Sequence, residues 1–522
     1  MKIVFVALGQ EQLGISILSA VLRRAGHETR LVFDPALFHD RYYFEVPILR
    51  DLFNRDRDTV ARIVAEAPDL VAFSVLTMTY EWAVDIARRV KAVSGVPVIF
   101  GGVHPSAVPE VCLENDCIDY VCVGEGEEAM VRLCDALASG APRPSTPIPN
   151  LWWRDRGRTV RGAASAFVQD LDALPFWDKE LWEDDLPIGT SYLTMASRGC
   201  PYRCSFCFNN FFAKLPGPNR GKYVRQRSVE NCIEELVHAK RRYRIEFVDF
   251  EDDIFTLDKA WMQAFLTEYK REIDVPFSCL VHPRFMDTDM ARWLADAGCS
   301  RIQMGIQTVD EEYKRKLLRF ENDLSLRRAL EAMSRAGLSM KLDHILGLPG
   351  EPLSAQEQAW ELYKQFRPTR VNTYWLSYLP GTDLMNDALA DGTITQEDAD
   401  AINRGKTRLF HYASSWKDEG ANATYQRYDL LFRLLPLVPR TWTARLDPER
   451  LPAISPGVAN LIGFAADVVG ALVARDRETL IYARLYAHHL KRLIPRMVFR
   501  RRSAIAERPP IASLPPATRG AA

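Results

Sequence analysis

Three cysteines stand as Cys200-x-x-x-Cys204-x-x-Cys207 in the run RGCPYRCSFCFNN, directly after the strand-like SYLTMAS. Thiolates are the soft ligands that iron-sulfur clusters require, and a loop this short can direct three sulfurs to three corners of one cubane. The motif supplies no fourth sulfur. An open coordination position marks a catalytic metal site rather than a structural one. A zinc knuckle is the competing reading, but zinc needs a fourth ligand nearby, and FNNFFAKLPG offers neither Cys nor His. The remaining cysteines, Cys112, Cys117, Cys122, Cys134, Cys232, Cys279 and Cys299, lack ligand spacing and read as small apolar core residues.

The elements that must position this loop follow an α/β pattern. Apolar runs at Ile3 to Leu8, Thr29 to Phe33, Leu70 to Val75, Val96 to Phe100 and Tyr120 to Val123 alternate with helical stretches. Such alternation predicts a doubly wound, Rossmann-like parallel sheet over residues 1–145. Pro-rich and charged segments, PRPSTPIPN and LDALPFWD, mark 146–186 as a linker. A second series follows over 187–385, with strands near Tyr192, Glu246, Phe277, Arg301, Met340 and Val371, and predicts a partial (β/α)6 barrel of TIM type. The cysteine loop then lies at the carboxyl end of the first barrel strand, where such folds build active sites. Residues 386–522 read as helical, with a disordered Pro-rich tail, ERPPIASLPPATRG.

The cysteine spacing, with Phe206 just before the last cysteine, resembles the radical S-adenosylmethionine (SAM) superfamily. The resemblance spans Ser191 to Asp383 and extends to RIQMGIQT, ILGLPGEP and YLPGTDL. It implies a [4Fe-4S] cluster on Cys200, Cys204 and Cys207. SAM would chelate the open iron and be cleaved by one electron to methionine and a 5'-deoxyadenosyl radical. It also implies that Phe206 lies against the adenine, that Asp252 and Asp253 contact SAM or shape its pocket, and that Gln307, where many relatives have Glu, bonds the ribose. Read from the residues alone, Asp252 and Asp253 could equally cap the next helix, and the glycines and prolines of GLPGEP could be turn chemistry.

The first domain resembles the cobalamin-binding domain that precedes the barrel in one branch of that superfamily. Ser74 and Leu76 match a Ser-x-Leu element, and Gly101 with Gly102 matches a Gly-Gly pair. Small residues there let backbone approach a macrocycle and its nucleotide tail. The expected Asp-x-His-x-x-Gly is degenerate, with Gly9 and Glu11 in place of Asp and His and only Gly14 kept. No histidine of this motif would then reach cobalt. A vestigial or nucleotide-binding sheet would look similar. His104 reads as a turn histidine beside Pro105, and GEGE at 124–127 as a glycine turn whose carboxylates start a helix.

Composition sets the class. A hydrophobic fraction of 47% and a charged fraction of 26% fit a folded globular chain, and a net charge of -1 gives nucleic acid no field to follow. MKIVFVALGQ reads as a buried strand rather than a signal peptide, no stretch reads as a transmembrane span, and a cytoplasmic location is expected. The basic helical stretch from Asp476 to Arg502 reads as packed on its own protein, with peripheral membrane contact as the alternative. The adjacent His488 and His489 project from different helix faces and form no joint metal site.

The function expected from the resemblance is cobalamin-dependent methylation of an unactivated carbon, or phosphorus, of a small molecule or lipid. Flavodoxin or ferredoxin would supply electrons. A radical oxidative cyclase or rearrangement enzyme is the first alternative and a non-catalytic iron-sulfur regulator the second. No side chain is singled out as acid, base or nucleophile.

Overall fold

The computed structural model describes the chain except residues 41–43, 46, 141–142, 216–220, 407–418, 444–445, 447, 452–455, 475, 477–480, 482 and 494–522. The expected tail at 507–520 lies outside the described residues.

Strands buried on both faces read as continuous apolar runs, and KIVFVAL is one. It forms β1 (Lys2–Leu8) at the centre of a sheet with β2 (Glu28–Asp34), β3 (Leu70–Ser74), β4 (Val98–Gly101), β5 (Tyr120–Cys122), β6 (Leu151–Asp155) and β7 (Arg158–Arg161). The order is β2-β1-β3-β4-β5-β6-β7. The first five are parallel, with Ile3 opposite both Thr29 and Leu70. The order reverses between β1 and β3, and ligands of doubly wound sheets bind beyond the carboxyl ends of the strands at such a switch point.

Strands β6 and β7 are a difference from expectation, because they lie in the segment predicted as linker. They add to β5 as an antiparallel hairpin, pairing Tyr120 with Trp153. The prolines stop at Pro149, Asn150 takes a left-handed turn (φ 61°), and LWWRD then buries Leu151 and Trp153. The Pro-rich composition thus belongs to the approach to the hairpin, and the hairpin itself has an apolar face.

The second sheet is β8 (Tyr192–Thr194), β9 (Val248–Phe250), β10 (Phe277–Val281), β11 (Cys299–Gln307), β12 (Ser339–Leu346) and β13 (Arg370–Trp375). All six pair in parallel in chain order, an open partial barrel. Strand alternation sends Ile302, Met304 and Ile306 outward into the core under the helices, and sends Arg301, Gln303 and Gly305 into the lumen. The lumen is polar: Asp343 accepts from Gln303 at 2.8 Å and from Asn372 at 2.9 Å. Beyond the barrel, helix Glu419–Leu434 packs on β13 and carries helix Pro456–Ala474.

A short segment joins the two sheets. Lys179, its side chain wholly buried, sets its ammonium 2.5 Å from Glu11 at the foot of helix α1 (Leu13–Arg24) and 2.5 Å from the carbonyl of Leu193 in β8. Its neighbours Asp178 and Trp182 bond Ser19 at 2.6 Å and Ser16 at 2.9 Å on α1. Removing one partner of a buried pair leaves an uncompensated charge. Lys179→Ala is therefore expected to lower unfolding free energy by about 3–5 kcal/mol, whereas Glu11→Gln/Lys179→Met recovers most of that loss. Denaturant unfolding of the two proteins measures the difference.

Candidate functional site

The carboxyl ends of β1, β3, β4 and β5 surround a cavity of about 260 Å³ lined by Gly14, Ser74, Gly101, Gly102, Gly124 and Gly126. Trp177, Met195 and Arg198 close it from the barrel side. The small residues are not equivalent. A Cβ at Gly14 would meet nothing within 4 Å, and one at Gly101 only Cys122 Cβ at 3.6 Å. These two keep space open, as a cradle for a bulky group requires. Gly102 has φ 99°, and a Cβ there would press to 2.9 Å on the Val75 nitrogen, so its glycine serves the backbone crossing. Leu76 is outside the cavity lining, and its N–H bonds Thr79 Oγ1 at 3.1 Å to shape the loop after β3.

Glu11 and His104 do not face this cavity. Glu11 is held by Lys179. His104 is fully buried, bonds Thr77 at 3.2 Å, lies 4.3 Å from the Tyr80 ring, and is pushed down to about 4 by burial, so it is a neutral core histidine. The GEGE carboxylates do more than start helix α2 (Glu127–Ala138). Arg198 donates to Glu125 at 3.2 Å and Glu127 at 2.7 Å, and Arg225 reaches Glu125 at 2.7 Å.

Arg198 leads directly into the cysteine loop. Gly199 takes φ 88° with the Tyr223 carbonyl 2.5 Å from its Cβ position, so only glycine turns the chain here. Burial raises all three thiols, Cys200 to about 12 and Cys207 to about 11, with Cys204 also raised. A thiolate in such a place needs positive charge and donors around it. Each sulfur has an N–H donor: the backbone of Tyr202 at Cys200, the Arg319 guanidinium at Cys204, and Asn209 at Cys207. Among the described residues, no three Cys, His, Asp or Glu side chains converge on a single-ion position. Three thiols on one short loop are the kind of donor that an iron-sulfur cluster takes.

Asp252 is buried and accepts from the Ala196 nitrogen at 3.0 Å and Ser197 Oγ at 2.5 Å, holding the base of the loop. Burial raises it to about 6. Asp253 accepts from Asn209 at 2.7 Å and lies near Cys200 and Cys207. Neither caps the next helix, since Asp258 does so through Ala260 and Trp261. Gln307 ends β11 with φ 66° and folds over Gly305, whose carbonyl accepts from Arg319. A left-handed non-glycine at a strand end is the kind of strain that gathers at ligand sites. Phe206 packs against a buried cluster whose members include Tyr313, Leu317, Leu348 and Met385.

Sequence reasoning missed Arg198, Arg319 and the partners of Arg319. Arg319 bonds Glu321 at 2.5 Å, and Glu321 lies 3.5 Å from His282, on which Tyr202 stacks at 4.2 Å. Arg198 adjoins the motif and was visible there; Arg319 follows an ordinary amphipathic helix and carries no local signal.

A family model for the B12-binding domain matches residues 6–134, and one for the radical SAM superfamily matches residues 195–362. The chain belongs to the radical SAM superfamily, in its B12-binding branch. Among curated proteins, an uncharacterised methyltransferase of Pyrococcus horikoshii is 27% identical, covering 64% of this chain and 72% of that protein. Cytidylyl-2-hydroxyethylphosphonate methyltransferase of Streptomyces wedmorensis is 21% identical, covering 78% of this chain and 83% of its own length. The solved structure of OxsB, a cobalamin-dependent SAM radical enzyme with aqua-cobalamin and SAM bound, shares the fold: TM-score 0.64 at 15% identity, over 95% of this chain and 83% of that one.

Gly101→Leu is expected to fill the cavity and weaken cobalamin binding at least about tenfold while leaving unfolding unchanged. Gly102→Ala should instead lower stability by about 1–3 kcal/mol through its backbone strain. Spectral titration with cobalamin and thermal unfolding separate the two outcomes.

Proposed function

We propose that the protein is a cobalamin-dependent radical SAM methyltransferase acting on an unactivated carbon, or phosphorus, of a small molecule or lipid. One observation carries the reading: Arg198 is at once a wall of the glycine-lined cavity and the second residue before Cys200. The two cofactor sites are therefore neighbours, joined through Arg198. When bound, SAM on the cluster supplies one-electron hydrogen abstraction and cobalamin supplies the methyl group.

The chain's own residues bind, orient and enclose. We assign Cys200, Cys204 and Cys207 to the cluster, with the N–H groups of Tyr202, Arg319 and Asn209 satisfying their sulfurs. Phe206 offers an apolar wall for adenine, Asp253 and Gln307 offer hydrogen-bonding groups to SAM, and Asp252 fixes the loop that carries the cysteines. Ser74 and Gly101 line the cobalamin cradle, while Leu76 and Gly102 shape its loops. The polar lumen rung Gln303–Asp343–Asn372 presents hydrogen-bonding groups to orient substrate.

A cytoplasmic setting with flavodoxin or ferredoxin as electron donor belongs to the same reading, supported by ten unpaired cysteines. No described helix is long and apolar enough to cross a membrane.

Anaerobic reconstitution with iron, sulfide, cobalamin and a reductant tests the proposal. The wild type should release 5'-deoxyadenosine and S-adenosylhomocysteine from SAM. Cys204→Ala should lose the cluster's paramagnetic resonance signal and both products, and Gly101→Leu should keep 5'-deoxyadenosine while losing S-adenosylhomocysteine. Absence of both products from wild type would leave an iron-sulfur regulator, and 5'-deoxyadenosine alone would leave a cyclase or rearrangement enzyme.

A further inference from the structure

Exposed apolar side chains are ordinary when scattered singly and informative when they gather. Leu318, Phe320 and Leu324 are 38%, 57% and 55% exposed, and Phe320 is the one exposed phenylalanine among the described residues. Phe320 and Leu324 line a groove of about 680 Å³ together with Pro283, Arg284 and Arg328. The groove lies between the turn Pro283–Phe285 and helix Asp323–Arg335, which pack on each other.

Charge in the groove is one-sided once its ion pairs are set aside. The acidic members are taken: Asp287 accepts from Lys259 at 2.5 Å, and Glu331 lies 3.5 Å from Arg335. Arg284 and Arg328 are exposed and have no ion-pair partner among the described residues. Two free guanidinium groups therefore flank an apolar centre.

The groove also backs onto the cysteine loop. His282, next to Pro283, carries the Tyr202 ring stacked at 4.2 Å, and Tyr202 lies between Cys200 and Cys204. Glu321, next to Phe320, sets its carboxylate 3.5 Å from His282 and 2.5 Å from Arg319, the guanidinium beside Cys204. Each wall of the groove is thus one residue away from a side chain that supports the loop.

We propose that an acidic one-electron carrier protein docks in this groove to reduce the cluster, which rests on the assignment of Cys200, Cys204 and Cys207 to a [4Fe-4S] group. One electron leaves the reduced carrier and enters the oxidised cluster, and no bond or proton moves with it. Free arginines around an apolar centre complement an acidic rim around an exposed redox group, and such complementarity speeds encounter. A small patch suffices, because transient redox partners bury less than about 1,200 Å² in total. A second copy docked isologously would set this positive patch against itself. The loop behind the groove decides among acidic partners, since an electron carrier is the one that gains from that position.

Anaerobic reduction of the reconstituted full-length protein tests this, with purified flavodoxin hydroquinone as the carrier and photoreduced deazaflavin as a small neutral reductant. At low ionic strength Arg284→Glu/Arg328→Glu should lower the second-order rate with flavodoxin at least about tenfold, while iron content and the rate with deazaflavin stay at wild-type values. Added salt should slow the wild type and not the variant. Phe320→Ser, which keeps both charges, should slow reduction by flavodoxin and not by deazaflavin. Equal flavodoxin rates for the wild type and the double variant overturn the proposal. So does a variant slowed with both reductants, which places the effect on the cluster, and so does a wild-type dimer that the variant abolishes. A wild type that takes up no cluster overturns the cysteine assignment and this proposal with it. Methyl transfer is read in none of these arms, so the proposed reaction can fail while the docking site stands.

Discussion

The buried pair of Lys179 and Glu11 is the constraint on which the geometry rests. Two charges that have left water must stay within reach of each other, and here they sit on different sheets' supports. Lys179 also bonds Leu193, so the start of the first barrel strand cannot move relative to helix α1 without stranding an ammonium in the core. The cysteine loop grows from that strand and the glycine-lined cavity from the loops beside that helix. The ion pair thus adds a directional constraint to the apolar cluster that both sheets share.

This pair also shows what Glu11 does in the structure. Glu11 stands where the family pattern has a histidine, and read alone it looks like a failed ligand. Its partner lies 168 residues away, which no local pattern can display. Asp252 is a parallel case: a carboxylate in an acidic run, expected near SAM, spends its hydrogen bonds on Ala196 and Ser197.

Legibility followed the range of the physics involved. The parallel strands were readable because burial on both faces demands unbroken apolar runs, and the cysteine loop because ligand spacing is local. The hairpin β6–β7 was hidden by the prolines that precede it, since Trp152 and Trp153 carry a strand signal only once Asn150 has turned the chain. Arg319 was hidden for a different reason. Its role depends on a strand-end carbonyl at Gly305 and a sulfur at Cys204, both distant in sequence. The exposure of apolar residues on helix Pro456–Ala474 was likewise invisible, because periodicity reports which residues share a face and not which way that face points.

Arg198 lines the glycine-rich cavity and stands two residues before Cys200 of the cysteine loop. A ligand whose arrival changes its ion pairs with Glu125 and Glu127 also acts on the neighbouring loop, and the two places are then coupled. Reciprocity then follows: whatever factor filling the cavity imposes on affinity at the cysteine loop, filling the loop imposes on the cavity. The order in which the two groups are loaded becomes a matter of rate, while the fully loaded state has a single free energy however it is reached.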